Sequence, residues 1–302
     1  MKILISGSTG LVGSGLIRHL SKKGHTVHRL LRNPQTMDNG DILWDPGNAG
    51  FDYKQLSGFQ AIIHLSGENL SNWFWTEKQK ARIISSRVDT TKLLARAISR
   101  LPDPKPAFLC ASAAHYYGDR RAETVNEESS AGEGFLAGVV KAWEDAAGEA
   151  RSAGARVLHL RFGVILTRRG GFLSKIMPVF YLGLGGKLGS GRQYLPWITL
   201  QDVMEIFEFC LQRTDIKGPL NVVAPQEITN RQFTEQLAGL LSRPAFMTIP
   251  AAILKFIFRE MAEEMLLGSI RMKPDVLLKH GYTFQYPTLQ TALKAVLSEE
   301  AD

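Results

Sequence analysis

The first apolar run, Ile3-Leu4-Ile5, has no polar alternation, which is the pattern of a strand covered on both faces of a parallel sheet. Directly after it the period changes. Val12, Leu16, Ile17 and Leu20 recur at helical spacing and predict an amphipathic helix. The alternation continues down the chain, with strands expected at 26–31, 41–45, 61–67, 106–112 and 156–161. Helices are expected at 76–100, opened by the capping-box sequence Thr76-Glu-Lys-Gln79, and at 135–154, with Leu136, Val140, Trp143 and Ala147 on one face. Strands alternating with helices over the first 165 residues specify an α/β fold, a Rossmann-type doubly wound parallel sheet.

Beyond residue 170 the pattern breaks into a glycine-rich stretch (Gly183, Gly185, Gly186, Gly189, Gly191), a strand at 194–199 and a helix capped by Asp202. A strand from Leu220, a helix behind Thr229-Asn230, and an apolar helix opened by Pro250 and holding Leu254, Ile257, Phe258, Met261 and Met265 come next. A strand at 282–286 and a helix at 288–297 complete the pattern. Residues 1–170 are therefore expected to form a dinucleotide-binding domain and 171–302 mostly a smaller α+β substrate lobe, with the elements near 202–224 returning to the first domain. No repeat or low-complexity linker separates the two, so the lobe should pack on the domain. Arg259, Glu260, Glu263 and Glu264 make the helix after Pro250 too polar to span a membrane. It is expected to roof a substrate pocket or to meet the second subunit of a homodimer.

At 302 residues, 44% apolar and 22% charged, the chain has the composition of a globular protein. A strand at residue 2 leaves no room for a signal peptide, and no apolar run reaches the roughly 18 residues of a membrane span, which predicts a cytoplasmic protein with no membrane partner. The two cysteines, Cys110 and Cys210, lie in apolar runs and predict buried free thiols, with no metal-ligand spacing. A formal charge of +7, modest and dispersed, suits an anionic cofactor better than nucleic acid.

The chemistry begins where the first strand meets the first helix. Gly7 permits a tight turn, Gly10 lets backbone approach a pyrophosphate, and Gly13 lets the helix pack closely on the strand. Thr9, Leu11 and Val12 complete this cradle, whose free N–H groups favour an anion. Leu31-Arg32 ends the second strand. An NAD-preferring fold carries Asp or Glu there, whereas a guanidinium accommodates the 2′-phosphate of NADP; a merely solvated arginine, with Asn33 serving instead, is the alternative. Leu65, Ser66, Gly67 and Glu68 end the fourth strand against the same cofactor, and His64 before them suits a satisfied core histidine. Arg87 falls on the apolar stripe Ile84, Thr91, Leu94, Ile98, where a lone charge is costly, so either the cofactor or an internal carboxylate should meet it.

Together these residues resemble the extended and atypical short-chain dehydrogenase/reductases. The closer likeness is to the sugar-epimerase-like subfamily known as epimerase family proteins, some called cell division inhibitors. It rests on Gly7-x-x-Gly10-x-x-Gly13, His64-Leu-Ser-Gly-Glu-Asn69, Ser86-Arg87-x-x-Thr90, Ser112 to Asp119, Trp143-Glu144, Gly183 to Gln193, and Trp197-Ile198. Arg243 to Leu297 resembles the small domain of unknown function that ends that subfamily. Arg32 points to NADP as the cofactor, and the resemblance implies a Ser, Tyr, Lys set in which the phenol moves the substrate proton. Ser112 matches the serine. Registering the helix on Glu144 puts Leu136 and Val140 at the Tyr and Lys places, so Val140 lies beside the cofactor, and Lys141 is turned away by about 100°. Tyr116 and Tyr117 are the candidates to replace the missing acid. Arg87 stands where extended members carry Asn, and Leu195 stands where they carry the arginine that grips a sugar-nucleotide pyrophosphate, which disfavours such substrates. The expected function is an NADP-dependent oxidoreductase or epimerase-like enzyme acting on an unknown small substrate; the alternative is a regulatory or scaffold protein that binds NADP without catalysis.

Overall fold

Seven strands form one parallel sheet in the computed structural model, which describes residues 1–47, 51–70 and 75–298. They are β1 (Lys2–Ser6), β2 (Thr26–Leu31), β3 (Ile42–Leu43), β4 (Ala61–His64), β5 (Ala107–Ala113), β7 (Val157–Phe162) and β11 (Gly218–Val222). Six shorter strands pair as three parallel ladders: β6 (Thr124–Val125) with β13 (Arg271–Met272), β8 (Val164–Leu166) with β10 (Trp197–Thr199), and β9 (Gly186–Leu188) with β12 (Met247–Ile249). The order of the large sheet is β11-β7-β5-β4-β1-β2-β3. From β1 the chain winds outward through β2 and β3, then returns to the other side of β1 as β4 and winds the opposite way. The reversal between β1 and β4 opens a crevice at the strands' carboxyl ends, the place where such sheets bind ligands.

Ten α-helices lie among the described residues: α1 (Leu11–Lys22), α2 (Glu77–Ser99), α3 (Phe135–Asp145), α4 (Gly148–Ser152), α5 (Gly171–Tyr181), α6 (Leu200–Gln212), α7 (Asn230–Leu240), α8 (Ala251–Phe258), α9 (Asp275–Lys279) and α10 (Leu289–Ser298). One face of the sheet packs Ile3, Ile5, Ile63 and Leu109 against Leu16 and Leu20 of α1, Val203 and Phe207 of α6, and Leu277 of α9. The other face packs Leu4, Ile62 and Phe108 against Leu94 and Ile98 of α2 and Ala150 of α4. Cover on both faces explains the unbroken apolar strands, and each fully buried Leu or Ile contributes about 1.5–3 kcal/mol. A third cluster joins Leu173 and Phe180 of α5, Phe233 and Leu237 of α7, and Leu293 of α10 in the second lobe.

Local chemistry corrects several sequence expectations. The helix expected at 135–154 breaks after Asp145 and restarts at Gly148. Ile84 is 40% exposed while Ile83 is fully buried, so the inner stripe of α2 runs Ile83, Arg87, Thr90, Thr91, Leu94 and Ile98. Thr199, not Asp202, caps α6. The buried Asp202 carboxylate instead accepts the amides of Gln285 and Tyr286, so 282–286 is held as irregular backbone rather than a strand. The apolar helix after Pro250 stops at Phe258, because Arg259 adopts φ 51° and a separate π-helical turn covers Ala262–Leu267. No helix among the described residues is long and apolar enough to cross a membrane.

Candidate cofactor crevice

The turn after β1 is built so that only glycine fits. A Cβ on Gly7, at φ 69°, would lie 2.7 Å from the carbonyl of Leu65, and one on Gly13 would lie 2.2 Å from the carbonyl oxygen of Gly7. The helix that follows has Gly10 as its cap residue and no side-chain cap, so its first amides face the crevice without a protein acceptor from that position. Ser8 adds a hydroxyl, missed in the sequence, that is buried without a partner among the described residues. Free amides and an orphaned hydroxyl at a helix start fit a phosphate group.

The crevice encloses about 430 Å³, and Gly7, Gly10, Leu11, Val12, Gly13, Leu65, Glu68, Arg87, Ser112 and Val140 all line it. Thr9, Leu31, Arg32, Ser66 and Gly67 are not among its lining residues. Arg32 is exposed beyond the end of β2 and makes no hydrogen bond or ion pair among the described residues. Its neighbours are occupied: Arg29 pairs with Asp41 and Asp38, and the Asn33 side chain caps the turn that follows. A hollow of similar volume at the opposite ends of β4 and β5, lined by Ser57, Phe59 and Pro104, is remote from this chemistry.

Arg87 lines the crevice from inside the stripe of α2. No carboxylate among the described residues pairs with it; its Nη2 donates to the Glu68 carbonyl at 2.9 Å, its Nη1 to the Ile83 carbonyl at 3.2 Å, and its guanidinium lies 5.2 Å from the Trp143 ring. Burial, only partly offset by the Glu68 charge, pulls its pKa down to about 10. His64 is enclosed: the Thr90 hydroxyl donates to the Ser86 carbonyl, so His64 Nε2–H donates to Thr90 Oγ1 at 3.1 Å and Nδ1 accepts from Ser6 Oγ at 2.6 Å. Burial lowers its pKa to about 3 and keeps it neutral.

At the floor, Ser112 Oγ donates to Glu144 Oε1 at 2.6 Å, a partner identified in the sequence only as a marker of register. Leu136 and Val140 line the wall where a proton-moving pair would stand, and Lys141 is exposed and paired with Asp145 at 3.0 Å. Tyr117 does not reach the crevice. It is fully buried, its hydroxyl donates to Asn221 Oδ1 at 2.7 Å and accepts from Arg161, and burial outweighs the Arg161 charge to push its pKa up to about 12. Tyr116 is outside the lining too, with its ring 3.5 Å from the Arg161 guanidinium. The imidazole that does line the crevice is His115, overlooked in the sequence although it lies three residues after Ser112. It also lines a second hollow of about 440 Å³ with Asp119, Glu133, Lys255 and Glu264. Glu264 accepts the amides of Phe135 and Leu136 at 2.9 and 3.2 Å, so the C-terminal lobe caps the helix that walls the crevice.

Residues 3–223 match the NAD dependent epimerase/dehydratase family, and 249–296 match a domain of unknown function, DUF1731. The chain belongs to the NAD dependent epimerase/dehydratase family. Among curated members, epimerase family protein Mb2239 of Mycobacterium bovis is 36% identical over 96% of each chain, and human epimerase family protein SDR39U1 is 35% identical over 99% of this chain and all of the human one. The crystal structure of human SDR39U1 with NADPH superimposes with a TM-score of 0.89 at 34% identity, covering 98% of this chain and 99% of that one. UDP-glucose 4-epimerase of Thermus thermophilus, at 15% identity and a TM-score of 0.73 over 99% of both chains, shares the fold. The family match and the seven-stranded sheet agree with the Rossmann-type architecture expected from the strand–helix alternation.

Proposed function

We propose that this chain binds NADP(H) in the crevice and acts as an oxidoreductase or epimerase-like enzyme on a small substrate held in the hollow beyond His115. The carrying observation is the fit of the cradle to a dinucleotide phosphate: Cβ-intolerant glycines, uncapped amides, the orphaned Ser8 hydroxyl and, outside them, the unpaired Arg32. The likeness to SDR39U1, whose crystal structure holds NADPH, supports the phosphorylated cofactor. The bound cofactor would supply or accept a hydride. For their part, this chain's residues hold and orient: the first turn of α1 takes the pyrophosphate, Arg32 the 2′-phosphate, and Arg87 a further anionic group, while Leu136, Val139 and Val140 exclude water from the reacting face.

The Glu144 carboxylate takes the only proton of Ser112, so the crevice is offered lone pairs there. Ser112 therefore suits a substrate hydroxyl or an amide N–H as donor rather than a carbonyl. Leu136 and Val140, with Lys141 turned out to Asp145, favour a second reading in which the chain senses NADP(H) and does not turn over. Calorimetric titration with NADPH and NADH, followed by exposure of the NADPH complex to small diketones, quinones and keto acids, separates the outcomes. Binding with oxidation supports the enzyme, binding alone the sensor, and no binding refutes both.

A further inference from the structure

Nine of the thirteen large apolar side chains exposed among the described residues fall between positions 179 and 257, led by Leu182 (74%), Phe246 (83%) and Phe256 (87%). Two stretches of chain carry them, and the β9–β12 ladder joins the stretches. Met247 is in register with Gly186, and a Cβ on Gly183 would sit 3.3 Å from Pro244. Helix α8 follows this ladder directly, and only Leu254 of its eight residues is buried, leaving Ile253, Phe256 and Ile257 in solvent. Exposed apolar side chains concentrated this way mark an interaction surface.

The charge of the same stretches is one-sided. Residues 171–193 and 241–259 contain Lys175, Lys187, Arg192, Arg243, Lys255 and Arg259 and no Asp or Glu, so most of the chain's formal +7 resides there and the remainder is near neutral. Lys255 meets Glu263 at 2.7 Å, whereas Lys175, Lys187, Arg243 and Arg259 form no ion pair among the described residues. The charge looks dispersed along the sequence, but the ladder gathers it.

We propose that this face docks on the surface of an anionic lipid bilayer, without crossing it. Phe246, Phe256 and Leu182 would enter the boundary between headgroups and acyl chains while the cations meet lipid phosphates. A second copy of the chain is a poor occupant, because a two-fold contact would set one cationic rim against its equal. Nucleic acid would use the cations and leave the phenylalanines wet. No helix among the described residues is long and apolar enough to cross a bilayer, and the surface contact is independent of the crevice chemistry.

The test is co-sedimentation of the full chain with phosphatidylcholine vesicles, with and without phosphatidylglycerol. Sedimentation should require phosphatidylglycerol and weaken with salt. A Phe246→Ser/Phe256→Ser variant and an Arg243→Glu/Arg259→Glu variant should each lose about tenfold in vesicle affinity while their melting temperature and NADPH binding stay unchanged. Failure to sediment with anionic vesicles at low salt would overturn the proposal. So would equal affinity of the variants, or a dimer in light scattering that the phenylalanine variant dissolves.

Discussion

Arg161 grips Glu144 with two parallel hydrogen bonds, Nε to Oε1 at 2.8 Å and Nη2 to Oε2 at 2.7 Å, and their side chains are only 3% and 10% exposed. Burial works against the guanidinium's charge, but the Glu144 bonds outweigh it and hold Arg161 above its usual range. Its Nη1 donates to the Tyr117 hydroxyl at 2.9 Å, so a single ion pair fixes both Ser112 and Tyr117. Glu144→Leu strands a buried cation and should cost about 3–5 kcal/mol in urea denaturation, while adding Arg161→Met should return part of that loss. Additive losses in the double variant would show that the two side chains act separately.

Arg32 should set cofactor choice. A charge-assisted contact to the 2′-phosphate contributes about 1.5–3 kcal/mol, or roughly a tenfold to hundredfold preference for NADPH over NADH. Arg32→Glu should abolish or reverse that preference in calorimetry with no change in melting temperature, because Arg32 bonds to nothing among the described residues. Equal affinities in the unaltered chain would remove Arg32 from the site.

Arg87 differs from Arg32 in lying inside a helix stripe with carbonyl oxygens and an aromatic face as its partners. Arg87→Leu removes a buried charge that forms no ion pair among the described residues, so the cofactor-free protein should melt at the same or a higher temperature while NADPH affinity falls. A large loss of stability with affinity unchanged would mean that its hydrogen bonds to Glu68 and Ile83 are its purpose.

How much of this was legible beforehand follows from what each feature depends on. The Rossmann-type sheet follows from local signals, the unbroken strands and the glycine turn, and needs no knowledge of distant contacts. The misplacement of Ile84 came from counting a helical face without knowing where the sheet lies; with Ile83 inward, the same 3.6-residue period still brings Arg87 to the crevice. Tyr117 was misassigned because its partners, Arg161 and Asn221, are 44 and 104 residues away, and no spacing rule connects them. His115 lies inside the Ser112 to Asp119 stretch but in no spacing that marks it as an acid or base, and its position between two hollows depends on Glu264 and Lys255 of the C-terminal lobe.

Acid should reveal the buried histidine. His64 titrates near 6.5 when unfolded and, pulled down by burial, at about 3 when folded. Between those values the unfolded chain binds a proton that the folded chain refuses, so stability is full above 6.5 and falls as pH drops toward 3, by up to about 1.4 kcal/mol per pH unit. Glu127 opposes this trend, because burial, despite the amides of Asn221 and Val276, raises its pKa and makes its protonation favour the folded state. His64→Asn should flatten the acid limb of a stability-versus-pH curve. An unaltered limb would assign it to His115 and His159, which burial also lowers.

Reduction of a carbonyl by NADPH consumes a proton, and the crevice offers few sources. The Ser112 proton is engaged by Glu144, the Tyr117 hydroxyl is buried against Asn221, and Lys141 points to Asp145. His115 borders both the crevice and the second hollow, and no side chain or carbonyl among the described residues occupies its ring. Burial lowers its pKa to about 4, so it stands neutral at pH 7, ready to accept the proton of a substrate alcohol; in the reductive direction its rate should rise as pH falls toward that value. With a small diketone or quinone as acceptor, single-turnover hydride transfer should slow by about a hundredfold in His115→Phe, the usual scale of one general acid. Lys141→Ala should leave the rate unchanged, and Tyr117→Phe should lower stability more than rate. A rate lost only with Lys141 would mean that α3 rotates on cofactor binding and restores the lysine of the wider superfamily. A rate kept in all three variants would assign the proton to water entering from the second hollow, with His115 shaping that passage rather than carrying the charge.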